Sequence, residues 1–269
     1  MDELDRLKRI LTDMGRVAVA FSGGTDSTLL LRLACDWLGA ERVLALTAVS
    51  PSQPAAERAE AEAVARRIGV RHLLIETPEL ADADYSANPP ERCYVCKRII
   101  LECLIRHARN EGFPQVVDGS NADDLSDHRP GARAARELGV RGPLQEAGLS
   151  KTAIRAVARS LGLPNWDKPS AACLASRVPY GTPITADLLA RIEQAEAGLR
   201  QLGIRQLRVR HHGPVARIEV EPGDFGILLA HRDAVVEHLR VLGYTYVTLD
   251  LAGFRSGSLN QESPGTGAA

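Results

Sequence analysis

Short apolar runs alternate with amphipathic stretches through the first two thirds of the chain. RVAVAFS (16–22) is followed by TLLLRLACDWLG (28–39), RVLALTAVS (42–50), PAAERAEAEAVARRIG (54–69) and RHLLIET (71–77). Strands that are apolar on both faces and separated by helical periods predict an α/β fold, a doubly wound parallel sheet covered by helices. A long helical stretch (91–112) and a strand QVVDG (115–119) continue the alternation. GSNADDLSDHRPG (119–131) then reads as loop, and SKTAIRAVARSLG (150–162) as a helix with Ser150 as its N-cap. The pattern predicts a first domain over 1–166.

Residues 167–183 lack any period and contain Pro169, Pro179 and Pro183, as expected of a functional loop joining two domains. Beyond it the pattern predicts a helix over about 185–202, strands IRQLRVRHH and VARIEVE, a helix over about 224–242 and a strand YTYVTLDLA. That makes a smaller α+β domain over 184–260, with 261–269 expected to be a disordered tail.

Composition changes this picture little: 45% hydrophobic, 25% charged, and a formal net charge of −1 from 33 Lys and Arg against 34 Asp and Glu. Near-neutrality disfavours a nucleic-acid or anionic-membrane partner. The N-terminal stretch is a charged amphipathic helix, and the absence of a long apolar run makes a cytoplasmic location the expectation. Five cysteines, Cys35, Cys93, Cys96, Cys103 and Cys173, are too few and too irregular for a disulfide framework.

The first strand runs into Ser22-Gly23-Gly24-Thr25-Asp26-Ser27 and then into a helix. Neither GxxxxGK[ST] nor GxGxxG is present, yet paired glycines, hydroxyls and a helix N-terminus at the carboxyl end of a buried strand form a site for an anion. This hexad resembles the SGGxDS loop of the PP-loop ATP pyrophosphatases. The resemblance implies that it binds the β,γ-pyrophosphate of ATP, with cleavage at the α-phosphate. Gly119-Ser120-Asn121-Ala122-Asp123-Asp124 resembles a second signature of that group, which implies that Asp123 and Asp124 lie near magnesium and phosphates.

ERCYVCK (91–97) and KPSAACLASRVPYGTPIT (168–185) are similar to the ATP-dependent sacrificial sulfur transferases of the LarE family, over roughly residues 10 to 260. The resemblance implies a reaction in which ATP adenylates a carboxylate of pyridinium-3,5-biscarboxylic acid mononucleotide. Sulfur then displaces AMP to give a thiocarboxylate, on the route to a nickel-pincer cofactor. It further implies a homo-oligomer, with nickel-insertion and lactate-racemase-type acceptor proteins downstream. Cys173 is the implied nucleophile or sulfur carrier, its thiol activated by Ser176 and Arg177.

Two sulfur sources are known in that family, the loop cysteine itself or a 4Fe-4S cluster held by three cysteines. Cys93, Cys96 and Cys173 match the three-cysteine pattern, and three thiolates leave one iron open to hydrosulfide. A zinc site with His128, or a plain redox CxxC pair, remain alternatives for the same cysteines. Cys103 lies about 10 Å further along the helix and Cys35 reads as core. In the second domain Arg208 and Arg210 alternate on one strand face, and with Ser176, Arg177 and Arg255 they are candidates for the phosphate of the mononucleotide. A tRNA thiolase, an amidating synthetase and a nucleotide sensor without turnover are the rival readings.

Overall fold

The computed structural model describes residues 2–125, 130–169 and 172–255. The chain divides into two compact units, the first formed by residues 1–79 and 91–171, the second by 80–90 and 172 onward.

The first unit begins with α1 (Glu3–Met14), β1 (Val17–Ala20), α2 (Thr25–Leu38), β2 (Val43–Val49), α3 (Ala55–Ile68) and β3 (Arg71–Glu76). The chain then leaves it for the short α4 (Ala83–Ser86) and returns with α5 (Arg92–Asn110), β4 (Gln115–Val117), α6 (Pro130–Glu137), α7 (Pro143–Ala147) and α8 (Lys151–Ser160). The four strands form a parallel sheet in the order β3-β2-β1-β4.

Both faces of that sheet are covered. Val17 and Val19 of β1 enter a core built with α1, α2, α3 and α8, while Ala18, Leu44 and Leu46 enter a second core built with α5. The period of two along β1 thus distributes apolar side chains to both layers. β3 is an edge strand, and Leu74 on it is exposed, so the expectation of two apolar faces holds for β1 and β2 but not for β3. The helices at 130–137 and 143–147 have no counterpart in the sequence-based elements.

Strand order reverses at β1: β2 and β3 follow on one side and β4 lies on the other. In parallel sheets such a reversal opens a crevice outside the carboxyl ends of the two strands concerned. Both signature loops lie there, one leaving β1 and the other leaving β4.

The second unit contains α9 (Ala186–Arg200), β5 (Leu207–His212), β6 (Val215–Val220), α10 (Phe225–Ala230), α11 (Arg232–Val241) and β7 (Tyr246–Leu249). β5 and β6 are antiparallel and β7 joins β6 in parallel. Leu199 of α9, Val209, Ile218 and Leu239 form its core. The single helix expected over about 224–242 is two, broken at His231.

The loop expected over 167–183 is divided between the units: its described residues up to 169 belong with the first and those from Ala172 with the second. Residues 80–90 also pack with the second unit, although the alternation assigns them to the first. Asn88 is the reason. Its side chain is fully buried and donates to the carbonyls of Pro179 (2.7 Å) and Thr182 (2.8 Å), while its own carbonyl accepts from the N–H of Gly181. Nothing within 81–90 announces such a long-range pairing. Residues 261–269 and His128 lie outside the described residues.

Two histidines make stability depend on pH. His72 bonds Thr47 Oγ1 at 2.8 Å, and burial lowers its pKa against the opposing pull of Glu62. Burial, with Arg191 and His212 nearby, lowers that of His211 as well. Groups whose folded pKa lies below the unfolded value bind protons more readily when unfolded, so acid favours the unfolded chain. The expected outcome is a urea midpoint constant above about pH 7 that falls as pH drops through the ordinary histidine range near 6.5. A midpoint that rises on acidification would contradict this.

Candidate functional site

The loop after β1 is shaped by its glycines. Gly23 has φ +74°, a conformation that costs a residue with a side chain, and a Cβ placed on it would stand 2.9 Å from Cβ of Ala61 on α3. Gly24 is the N-cap of α2 and no side chain caps that helix, so Thr25 is its first residue and not its cap. Uncapped N–H groups and the positive end of the dipole thus face the crevice. Ser22 and Ser27 bond each other through their hydroxyls at 3.1 Å, and Gly24 N donates to Ser22 Oγ. The β4 loop presses against this turn so closely that a Cβ on Gly119 would lie 2.8 Å from N of Ser27.

Asp26 ties three segments together. Its carboxylate accepts from Nζ of Lys151 at 2.5 and 2.6 Å and from Nδ2 of Asn121 at 3.0 Å. The β1 loop, the β4 loop and the first residue of α8 therefore meet at one carboxylate. Lys151 answers the missing lysine of the loop: the cation comes from 125 residues further along the chain. Within the second signature, Asp123 Oδ2 accepts from the backbone N–H of Lys151 and Asp124 Oδ2 from that of Asn121. Asp118, buried at the end of β4, accepts from Ser120 N and pairs with Lys97 at 3.5 Å.

Cys93 and Cys96 occupy the first turn and a half of α5. Cys93 is exposed and Cys96 partly so, whereas Cys103 on the same helix is buried. Cys35 packs against the core under α2, where burial and then Asp36 push its thiol up to about 12. Among the described residues no three His, Cys, Asp or Glu side chains form a group that could hold a metal ion.

Cys173 is exposed and stands as the N-cap residue of a short 3-10 turn, Leu174–Arg177. Its backbone is fixed by Arg177, whose Nη1 donates to the carbonyls of Ala172 (2.8 Å) and Cys173 (3.0 Å) and to Ser176 Oγ. The other edge of that guanidinium grips the fully buried carboxylate of Glu196 through Nε at 2.8 Å and Nη2 at 3.1 Å. The hydrogen bonds of Arg177 thus reach the main chain that carries Cys173.

Ser176, Arg177, Arg208 and Arg210 come together in the second unit. Arg210 pairs with buried Glu219 at 2.9 Å and donates to the carbonyl of Ser176 at 2.6 Å. Arg208 and Arg210 do share a face of β5, the latter opposite Arg217 on β6. Arg208 is buried, lies over the ring of Phe254 at 4.6 Å, and makes no ion pair or hydrogen bond among the described residues. Burial first, then Arg210 and Arg177, bring its pKa down to about 10, which still leaves it cationic at neutral pH. Of the four it is the cation left without a carboxylate. Arg255 is exposed, next to Phe254. Residues missed on the sequence include Lys151, Glu196 and Glu219. Only the last two carried a signal, as acids placed among apolar positions of a helix and a strand.

A family model described as NAD synthase matches residues 5–110. The chain is 42% identical over 250 residues to the pyridinium-3,5-bisthiocarboxylic acid mononucleotide synthase of Lactiplantibacillus plantarum, spanning 93% of this chain and 91% of that one. It is 44% identical over 261 residues to an uncharacterized protein of Synechocystis sp., spanning 96% and 97%. An argininosuccinate synthase of Natronomonas pharaonis is 30% identical over 164 residues, 57% of this chain and 41% of that one.

Proposed function

Because the chain belongs to the family of the pyridinium-3,5-bisthiocarboxylic acid mononucleotide synthases, we propose that it is an ATP-dependent sulfur transferase. It adenylates the carboxylates of pyridinium-3,5-biscarboxylic acid mononucleotide, releases pyrophosphate, and replaces AMP by sulfur to form thiocarboxylates. The observation that carries this reading is the arrangement at the end of β1. An uncapped helix N-terminus, a glycine turn and Lys151 converge there, with no lysine inside the loop, as suits a site for a leaving pyrophosphate. The match to NAD synthase ends at residue 110 and takes in none of the residues from 172 onward.

Ser22, Gly23, Gly24, Thr25 and Ser27 cradle the β,γ-phosphates in this reading, with Lys151 alongside. The carboxylates of Asp26, Asp123 and Asp124 are hard oxygen donors of the kind that suits magnesium accompanying ATP. Arg208 takes the phosphate of the mononucleotide, with Ser176 and Arg255 as further candidates, while Arg177 and Arg210 are engaged by Glu196 and Glu219. No helix of the described residues is long and apolar enough to cross a membrane.

The sulfur source is read from the thiols. Cys93, Cys96 and Cys173 match the three-cysteine pattern of the family, thiolates being the soft donors a 4Fe-4S cluster takes; Cys93 and Cys173 are exposed and Cys96 half-buried, while Cys103 is buried and Cys35 packs against the core. Such a cluster, when bound, would carry a sulfide on its open iron and permit repeated turnover. Protein purified without air is expected to contain about four irons per chain, lost in Cys93→Ala. Absence of iron, with Cys173 about 34 Da lighter after turnover, would instead assign the sulfur to Cys173 itself. Absence of substrate-dependent pyrophosphate release from ATP would sink the whole reading.

A further inference from the structure

Asn165 lies beyond α8, in a stretch that carries no recognised signature, yet its side chain is nine-tenths buried against the phosphate loop. Both hydrogens of its amide are used there. Nδ2 donates to the carbonyl of Gly23 at 2.8 Å and to Oγ1 of Thr28 at 2.8 Å. In return, Oγ1 of Thr25 donates to the backbone carbonyl of Asn165 at 2.7 Å. Three residues of the loop and its helix are thus held by one asparagine from about 140 positions away.

The Gly23 carbonyl matters because that residue adopts φ +74°. Glycine reaches that conformation without strain but is free to leave it, so the turn keeps one conformation only when its surroundings fix it. Ala61 bounds Gly23 on one side and Asn165 fixes its carbonyl on the other. With the carbonyl held toward Asn165, the Gly23–Gly24 peptide is fixed with its N–H on Ser22 Oγ, and the uncapped first turn of α2 that follows is set before any anion arrives. The amide oxygen of Asn165 has no partner among the described residues, so the side chain is oriented by its two donations alone.

The same stretch is anchored a second time. Lys168 Nζ bonds Glu57 at 2.7 Å and Glu60 at 2.6 Å on α3. Burial alone would depress its pKa, but the two carboxylates outweigh that and hold it above the ordinary lysine value. Asn165 and Lys168 together fix the chain five residues before Cys173.

We propose that Asn165 is the positioning residue of the phosphate loop, which presets its N–H groups for the pyrophosphate moiety of ATP. This rests on the reading of that loop as the pyrophosphate site. Asn165→Ala should raise the Kd for ATP and the inhibition constant of inorganic pyrophosphate by the same factor, at least about tenfold, because both ligands use the loop. The KM for the pyridinium nucleotide and kcat at saturating ATP should stay within about twofold. A residue serving the fold alone would lower the Tm and leave both phosphate constants unchanged.

Thr28→Val, which keeps shape and removes one acceptor, should move the same two constants in the same direction by a smaller factor, and it decides the matter should Asn165→Ala fail to fold. Folded variants that bind ATP and pyrophosphate within twofold of the native chain would overturn the inference. If the native chain itself neither binds pyrophosphate nor releases it from ATP, the functional reading fails instead, which is a separate result.

Discussion

Cys173→Ser is expected to stop thiocarboxylate formation, lowering it at least about a thousandfold, while substrate-dependent pyrophosphate release continues at roughly the native rate. The two half-reactions separate because adenylation needs only ATP bound beside a carboxylate, whereas the second step needs sulfur. A serine hydroxyl cannot supply sulfur and is a poor ligand for iron, so the loss follows whether Cys173 gives up its own sulfur or helps to hold a cluster. The substitution should leave the fold alone: the side chain is exposed and makes no capping hydrogen bond. Single-turnover mass spectrometry of the nucleotide product, with pyrophosphate measured in parallel, reads both steps. Thiocarboxylate formed at the native rate would remove Cys173 from the chemistry altogether.

That prediction rests on a motif read directly from the chain, and the nucleotide unit was legible for a physical reason. β1, the glycine turn and α2 are contiguous, so an apolar strand, two glycines and an uncapped helix start specify the anion site within eleven residues. Lys151 was invisible because it meets Asp26 only through tertiary folding of α8, and a lone lysine after a serine N-cap carries no sign of it. Asn165 was hidden in the same way.

In the second unit the alternation of Arg208 and Arg210 showed a shared face but not which of the two would be neutralised. That depends on Glu219 from the neighbouring strand. The grip of Arg177 on Glu196 was likewise hidden: a loop residue and a helix residue 19 positions apart share no local period.

The Arg177–Glu196 pair leads to the second large effect. Glu196 is fully buried and accepts four hydrogen bonds, two from Arg177, one from Arg200 at 2.9 Å and one from the N–H of Val209 at 3.1 Å. Glu196→Gln keeps the volume but withdraws the charge and turns an amide N–H2 toward guanidinium donors. Leaving buried Arg177 uncompensated is expected to cost about 3–5 kcal/mol, read as a lower urea midpoint.

Sulfur transfer should fall further than pyrophosphate release, because Arg177 is also what fixes the carbonyls of Ala172 and Cys173. The double variant Arg177→Met, Glu196→Met distinguishes the two roles. Replacing a buried ion pair by apolar side chains of similar volume is often neutral for stability, so the midpoint should largely recover. The Cys173 backbone would still lack its donors, and sulfur transfer should stay low. Recovery of sulfur transfer together with stability would mean that the pair serves only the fold, and that the position of Cys173 is set by other contacts.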